Sequence, residues 1–138
     1  MKGRKRRKDN TMEEKTMIKL PESELEIMQA IWALNEAGER YISAGLIMKR
    51  FPALTRLKLT TVLTLITRLN VKGFIKSEKI GRTNCYTPLI ACADYRRFAV
   101  DDFVEKVFMN EKLSLINCLL DGNLTEEEKA AIRAKLKR

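Results

Sequence analysis

The sequence predicts a mainly α fold with one small β-hairpin, split into a basic N-terminal part and a neutral C-terminal part. Three observations predict it. Apolar residues recur at helical spacing through most of the chain, and one stretch around a Gly-Arg pair alternates as a hairpin does. The charge also divides by segment: of the net +9, residues 1–16 carry +4, residues 17–92 carry +5 and residues 93–138 carry none.

Residues 1–16 show no hydrophobic periodicity and are expected to form a disordered basic tail, either attracting phosphates weakly or only keeping the protein soluble. From Pro21 to about Asn35, Leu25, Met28 and Trp32 recur at spacings of three and four, with Ile27, Ile31 and Leu34 widening the stripe. Pro21 suits the first turn of this helix, and Gly38 falls beyond its end. Trp32 is expected in the core. The short extended piece Arg40-Tyr41-Ile42 leads to Ser43, an N-cap for a second helix through Arg50. Phe51-Pro52 ends that helix, because a residue before proline avoids the helical region.

The third helix, Leu59 to Val71, puts Val62, Leu65, Ile66 and Leu69 on one face. The opposite face carries Thr60, Leu63, Thr64, Thr67 and Val71, flanked by Lys58, Thr61 and Arg68. A surface so poor in acids and rich in hydroxyls and methyls suits contact with phosphates, base edges and thymine methyls. A helix packed on both sides would also explain Leu63. Gly73 then closes the helix as a left-handed cap. Phe74 to Ile80 has the pattern of a strand, Gly81-Arg82-Thr83-Asn84 of a turn, and Cys85-Tyr86-Thr87 of a returning strand before Pro88. Three short helices and a hairpin with a basic tip make a winged helix-turn-helix, expected over residues 17–92. In that arrangement the third helix enters the major groove, Arg82 is the wing contact, and Lys76 and Lys79 lie along the arm. Nine basic residues and one acid, Glu78, lie between Lys49 and Arg82, which suits a polyanionic partner.

Residues 93–138 form the second expected domain. Phe98, Phe103, Val104, Val107 and Phe108 make an apolar band with Tyr95 and Ala99, followed by Leu115, Ile116 and Leu119 beside Leu113 and Leu120. Thr125-Glu126-Glu127-Glu128 is a capping box opening a last helix. Three helices in so short a segment cannot bury this apolar surface among themselves. Pairing with an identical copy is the preferred remedy, and packing back on the same chain is the alternative.

The sequence contains no histidine, so a Ser-His or Cys-His nucleophilic site cannot be built, and no phosphate-binding glycine loop occurs. An enzyme is not expected, nor is any cofactor or metal. Cys85, Cys92 and Cys118 form no CxxC pair, and Cys85 and Cys118 are expected to be buried structural thiols. No apolar run reaches membrane-spanning length and no secretory signal opens the sequence, so a cytoplasmic location is expected.

The segment Glu24 to Met28 leading to Ile31-Trp32 is similar to the opening-helix signature of the penicillinase-repressor family of winged-helix transcriptional repressors. Thr60 to Leu69 with Lys72 to Ile75 resembles its third helix, Gly81-Arg82 to Tyr86 with Pro88-Leu89 its wing, and Leu113 to Leu115 with Leu124-Thr125 its dimerisation helices. The resemblance runs from about Leu20 to the C-terminus. It implies a homodimeric repressor on a double-stranded, inverted-repeat operator. In several members, which control β-lactam resistance, a membrane metalloprotease sensor triggers cleavage in the dimerisation region. By position the cut bond falls between Asn117 and Cys118, where well-known members carry Asn-Phe. Met109-Asn110-Glu111-Lys112 stands in place of the family's glycine-rich link. A copper-responsive branch uses clustered C-terminal cysteines, and with Cys118 alone in that half copper sensing is rejected. The alternative to an operator-binding repressor is a winged-helix module that binds protein or RNA.

Overall fold

The computed structural model describes residues 17–137, so the expected tail over residues 1–16 lies outside the described residues. In chain order the elements are α1 (Glu22–Glu36), α2 (Ala44–Arg50), a 3₁₀ turn (Pro52–Arg56), α3 (Leu59–Val71), β1 (Ile75–Ile80), β2 (Thr83–Pro88), α4 (Cys92–Phe108), α5 (Lys112–Leu120) and α6 (Glu126–Leu136). The mainly α architecture with a small hairpin is therefore the observed one. The chain separates into two compact units, the first ending at Arg96 and the second beginning at Arg97, inside α4.

In the first unit α1 packs on α2, α3 and β2. Its apolar stripe supplies Ile27, Met28, Ile31 and Leu34, which meet Ile47 of α2, Leu54 of the 3₁₀ turn and Val62, Leu65, Ile66 and Leu69 of α3 in one buried core. Trp32 is buried, its indole Nε1–H donating to the Ile90 carbonyl at 2.8 Å. Tyr95, in the first turns of α4, belongs to the same core: its hydroxyl accepts from the Leu20 amide at 2.9 Å, and its ring lies 5.7 Å from those of Trp32 and Phe74.

Local chemistry sets the boundaries. Pro21 stands just outside α1 in extended conformation, one position earlier than expected, with its carbonyl accepting from Leu25 N at 2.9 Å. Ser43 caps α2, its hydroxyl accepting from Leu46 N at 3.1 Å. Pro52 ends α2 but opens the 3₁₀ turn, whose tight geometry tolerates a proline at its start. At the end of α3, Gly73 has φ +84, and the amides of Gly73 and Phe74 reach the carbonyls of Asn70 and Leu69. That is a Schellman cap, and it turns the chain straight into β1.

The hairpin is antiparallel, pairing Ile75 with Pro88 through to Ile80 with Thr83. Its turn is the two residues Gly81-Arg82, not the expected four. Gly81, at φ +67, occupies the first central position that a type II′ turn reserves for glycine, and this geometry follows the strand twist closely enough for Thr83 and Asn84 to stay paired. Tyr86 N donates to the Ile42 carbonyl at 2.8 Å, tying the extended segment before α2 to the root of the wing.

The second unit contains the rest of α4 with α5 and α6. Thr125 and Glu128 form the expected capping box at 3.0 and 2.9 Å. Met109 and Asn110, between α4 and α5, both adopt positive φ, 50° and 67°. Left-handed backbone is costly for methionine, which rationalises the glycine-rich link of the resembled family at this point. Among the described residues of this unit Val104 alone is buried.

Candidate nucleic-acid interface

The core-facing stripe of α3 fixes which residues turn outward. With Val62, Leu65, Ile66 and Leu69 buried, Thr60, Thr61, Leu63, Thr64, Thr67 and Arg68 are all exposed, as are Lys58 before the helix and Leu59 and Val71 at its ends. A helix packed on both sides is thereby ruled out: Leu63 is 38% exposed and Val71 82%. On the hairpin, Lys76, Lys79 and Arg82 are exposed, whereas Cys85 and Tyr86 at its root are buried. Burial pushes the Tyr86 phenol above its ordinary range, with the neighbouring Cys85 adding to the effect.

The structure divides the nine basic residues from Lys49 to Arg82 into two groups. Arg50 pairs with Glu39 at 2.5 Å, Arg56 with Glu26 at 2.6 Å and Lys72 with Glu24 at 2.5 Å. Arg56 grips Glu26 through both nitrogens and also donates to the Ala53 carbonyl, and its hydrogen bond holds the Glu26 carboxyl below the usual glutamate range. Glu24 is a buried acid, and its pair with Lys72 fastens the start of α1 to the end of α3. Lys49, Lys58, Arg68, Lys76, Lys79 and Arg82 form no ion pair among the described residues. The paired cations are spent on α1 and the loop after it. The unpaired ones include every cation of the α3 surface and the wing.

Two further residues join these elements, and composition did not single them out. Asn70 Nδ2 donates to Ser77 Oγ at 3.1 Å, bracing the exposed end of α3 against the first strand of the wing. An amide three residues beyond Thr67, on the same outer face, was the available signal. Thr64 and Thr67 turn their hydroxyls onto the Thr60 and Leu63 carbonyls at 2.9 and 3.0 Å. Thr60 and Thr61 carry no side-chain hydrogen bond among the described residues.

In the second unit the expected dimerisation residues divide by exposure. Phe103, Val107, Ile116 and Leu119 are exposed, Phe98, Phe108 and Leu115 are half-buried, and Val104 is buried. Phe103 and Phe108 meet edge to face with centroids 5.5 Å apart. Asn117 and Cys118 are both exposed on α5, which has no buried residue, so the expectation of a buried Cys118 is overturned while that for Cys85 holds. No helix among the described residues is long and apolar enough to cross a membrane.

Comparison with known proteins agrees with this geometry. The family described as penicillinase repressor matches over residues 20–138. The chain is 29% identical over 123 residues to the methicillin resistance regulatory protein MecI of Staphylococcus aureus, covering 88% of this chain and 95% of that protein. It is 27% identical over 115 residues to the penicillinase repressor of Bacillus licheniformis, covering 83% and 86%.

Proposed function

The chain belongs to the penicillinase repressor family, and on that premise we propose that it is a homodimeric, sequence-specific DNA-binding transcriptional repressor. One observation carries the reading: the cations beside the outer face of α3 and along the wing, Lys58, Arg68, Lys76, Lys79 and Arg82, have no carboxylate partner among the described residues, and they flank an exposed α3 face without acids. In operation, α3 enters the major groove of each half-site with Thr60, Thr61, Leu63, Thr64 and Thr67 toward the bases. Lys58 and Arg68 meet the phosphates beside it, and Lys76, Lys79 and Arg82 carry the wing along the flanking backbone. Repression follows from occupying the operator. Residues 17–92 do the binding and residues 93–138 the pairing.

Pairing is supported by the second unit. Phe103, Val107, Ile116 and Leu119 expose 46, 58, 45 and 45% of their surface, more than a small helical unit leaves bare without a partner. A second copy covers them and links two winged helices to one inverted repeat. Induction follows the family pattern, with a membrane metalloprotease sensor triggering cleavage between the exposed Asn117 and Cys118. A β-lactam challenge of cells carrying such a sensor should fragment the chain as the target gene is derepressed, and an intact chain at derepression would count against that route.

The DNA-binding reading is tested by salt dependence. Arg68→Ala and Arg82→Ala should each lower the slope of log affinity against log salt by about one, the loss of one phosphate contact. Arg56→Ala, which removes a cation already paired with Glu26, should leave the slope unchanged. Equal slopes for all three variants and the parent would sink the reading in favour of a module for protein or RNA.

A further inference from the structure

A hydroxyl has a single proton to donate. At Thr64 it goes to the Thr60 carbonyl, 2.9 Å from Oγ1, and at Thr67 to the Leu63 carbonyl at 3.0 Å. Phosphate oxygens and the major-groove edge of guanine only accept hydrogen bonds, so neither hydroxyl serves them while these bonds stand. Both side chains are exposed, and what they have left to offer a groove is a methyl group and an oxygen able only to accept. Leu63, 38% exposed, lies one helical turn from Thr67 and beside Thr64 on the same face. No cation or amide stands among these three. Arg68 is at the flank, and the Asn70 amide is engaged by Ser77.

A base edge complementary to such a surface presents an apolar group, and the 5-methyl of thymine is the one the major groove provides. We infer that the middle of α3 selects thymine by its 5-methyl, with Leu63 and the methyls of Thr64 and Thr67 as the specificity-determining contacts. This rests on the DNA-binding reading above and names what the same site recognises. The division of labour is then sharp: the unpaired cations supply sequence-independent affinity, and an uncharged apolar strip supplies the choice of base.

The experiment begins with duplexes selected from a random pool by the full-length protein. Each thymine of a selected half-site is then replaced in turn by uracil, which removes only the methyl. At fixed salt, at least one replacement per half-site should weaken binding about four-fold, the transfer free energy of one buried methyl group, without changing the salt slope. Thr64→Ser and Thr67→Ser, which keep the hydroxyl, should weaken binding by a similar factor and respond less to uracil. Thr64→Val and Thr67→Val, which keep the methyl, should retain the full uracil effect. Binding indifferent to every uracil, or a uracil effect lost in the valine variants and kept in the serine variants, overturns the inference while leaving DNA binding intact. A pool from which no duplex is enriched overturns the proposed function itself.

Discussion

The two units of the chain are built from similar proportions of apolar side chains but dispose of them differently. In the first, Phe74 is fully buried between α3 and the wing, beside Tyr95, and α1, α2 and α3 close over a common core. In the second, Phe103, Val107, Ile116 and Leu119 on α4 and α5 remain exposed, and among the described residues Val104 alone is buried. Buried apolar area is the main stabilising term for a small domain. The first unit has enough to hold its fold, and under the proposed pairing the second would obtain it by association. A truncation meant to preserve the first unit must keep Tyr95, because its ring and hydroxyl belong to that core.

The same substitution in both units sharpens the comparison most. Phe74→Ala should cost about 3–5 kcal/mol in urea unfolding, the usual penalty for emptying a filled aromatic site, and the loss should not vary with protein concentration. Phe103→Ala should cost little in dilute solution and more as concentration rises, because its contacts form only in the assembled protein. Equal, concentration-independent losses would remove the distinction between the units. The next largest effect comes from charging the exposed face. Phe103→Glu combined with Ile116→Glu should yield monomers in sedimentation and lower operator affinity by about two orders of magnitude, since the half-sites are then bound independently. A double variant that still sediments as a dimer would place the interface elsewhere.

Features governed by neighbours in the sequence were legible in it. The bounds of α3, the Ser43 cap, the left-handed Gly73 and the Thr125 box each depend on residues within a turn of one another. The wing was legible as a hairpin, but its turn was drawn too long, because Thr83 and Asn84 resemble turn residues and the strand pairing that claims them lies on β1. What stayed hidden was which cations are neutralised. Arg56 finds its carboxylate 30 residues away and Lys72 finds its own 48 residues away. A charge count gives all nine basic residues equal weight, and only the fold separates those paired with carboxylates of α1 and the loop after it from those left without an ion pair among the described residues.

The Glu24–Lys72 pair tests that separation. Lys72→Ala should cost roughly 2 kcal/mol, less than the about 3–5 kcal/mol of breaking a fully buried pair, since Lys72 keeps a quarter of its side chain in water. Removing both partners with Glu24→Leu and Lys72→Met should recover most of the loss, because no unpaired carboxylate is then left buried. A single variant as stable as the parent would show that α1 and α3 are held by their apolar contacts alone.

The smallest effect is the most specific to the paired group. The Arg56 hydrogen bond lowers the Glu26 pKa in the folded protein relative to the unfolded chain. The pair therefore contributes stability above the unfolded glutamate pKa and loses it as pH falls through the lower, folded value. Both side chains are well solvated, so the contribution is small. Arg56→Ala should flatten the stability profile slightly between about pH 5 and pH 3, the range around and below an ordinary glutamate, lowering stability slightly at neutral and alkaline pH and leaving it unchanged at acid pH, where Glu26 is protonated with or without the arginine. Its operator binding should keep the parent's salt slope. If the slope instead fell by about one, Arg56 would be exchanging Glu26 for a phosphate on binding, and the line between structural and DNA-facing cations would have to be drawn through the bound state.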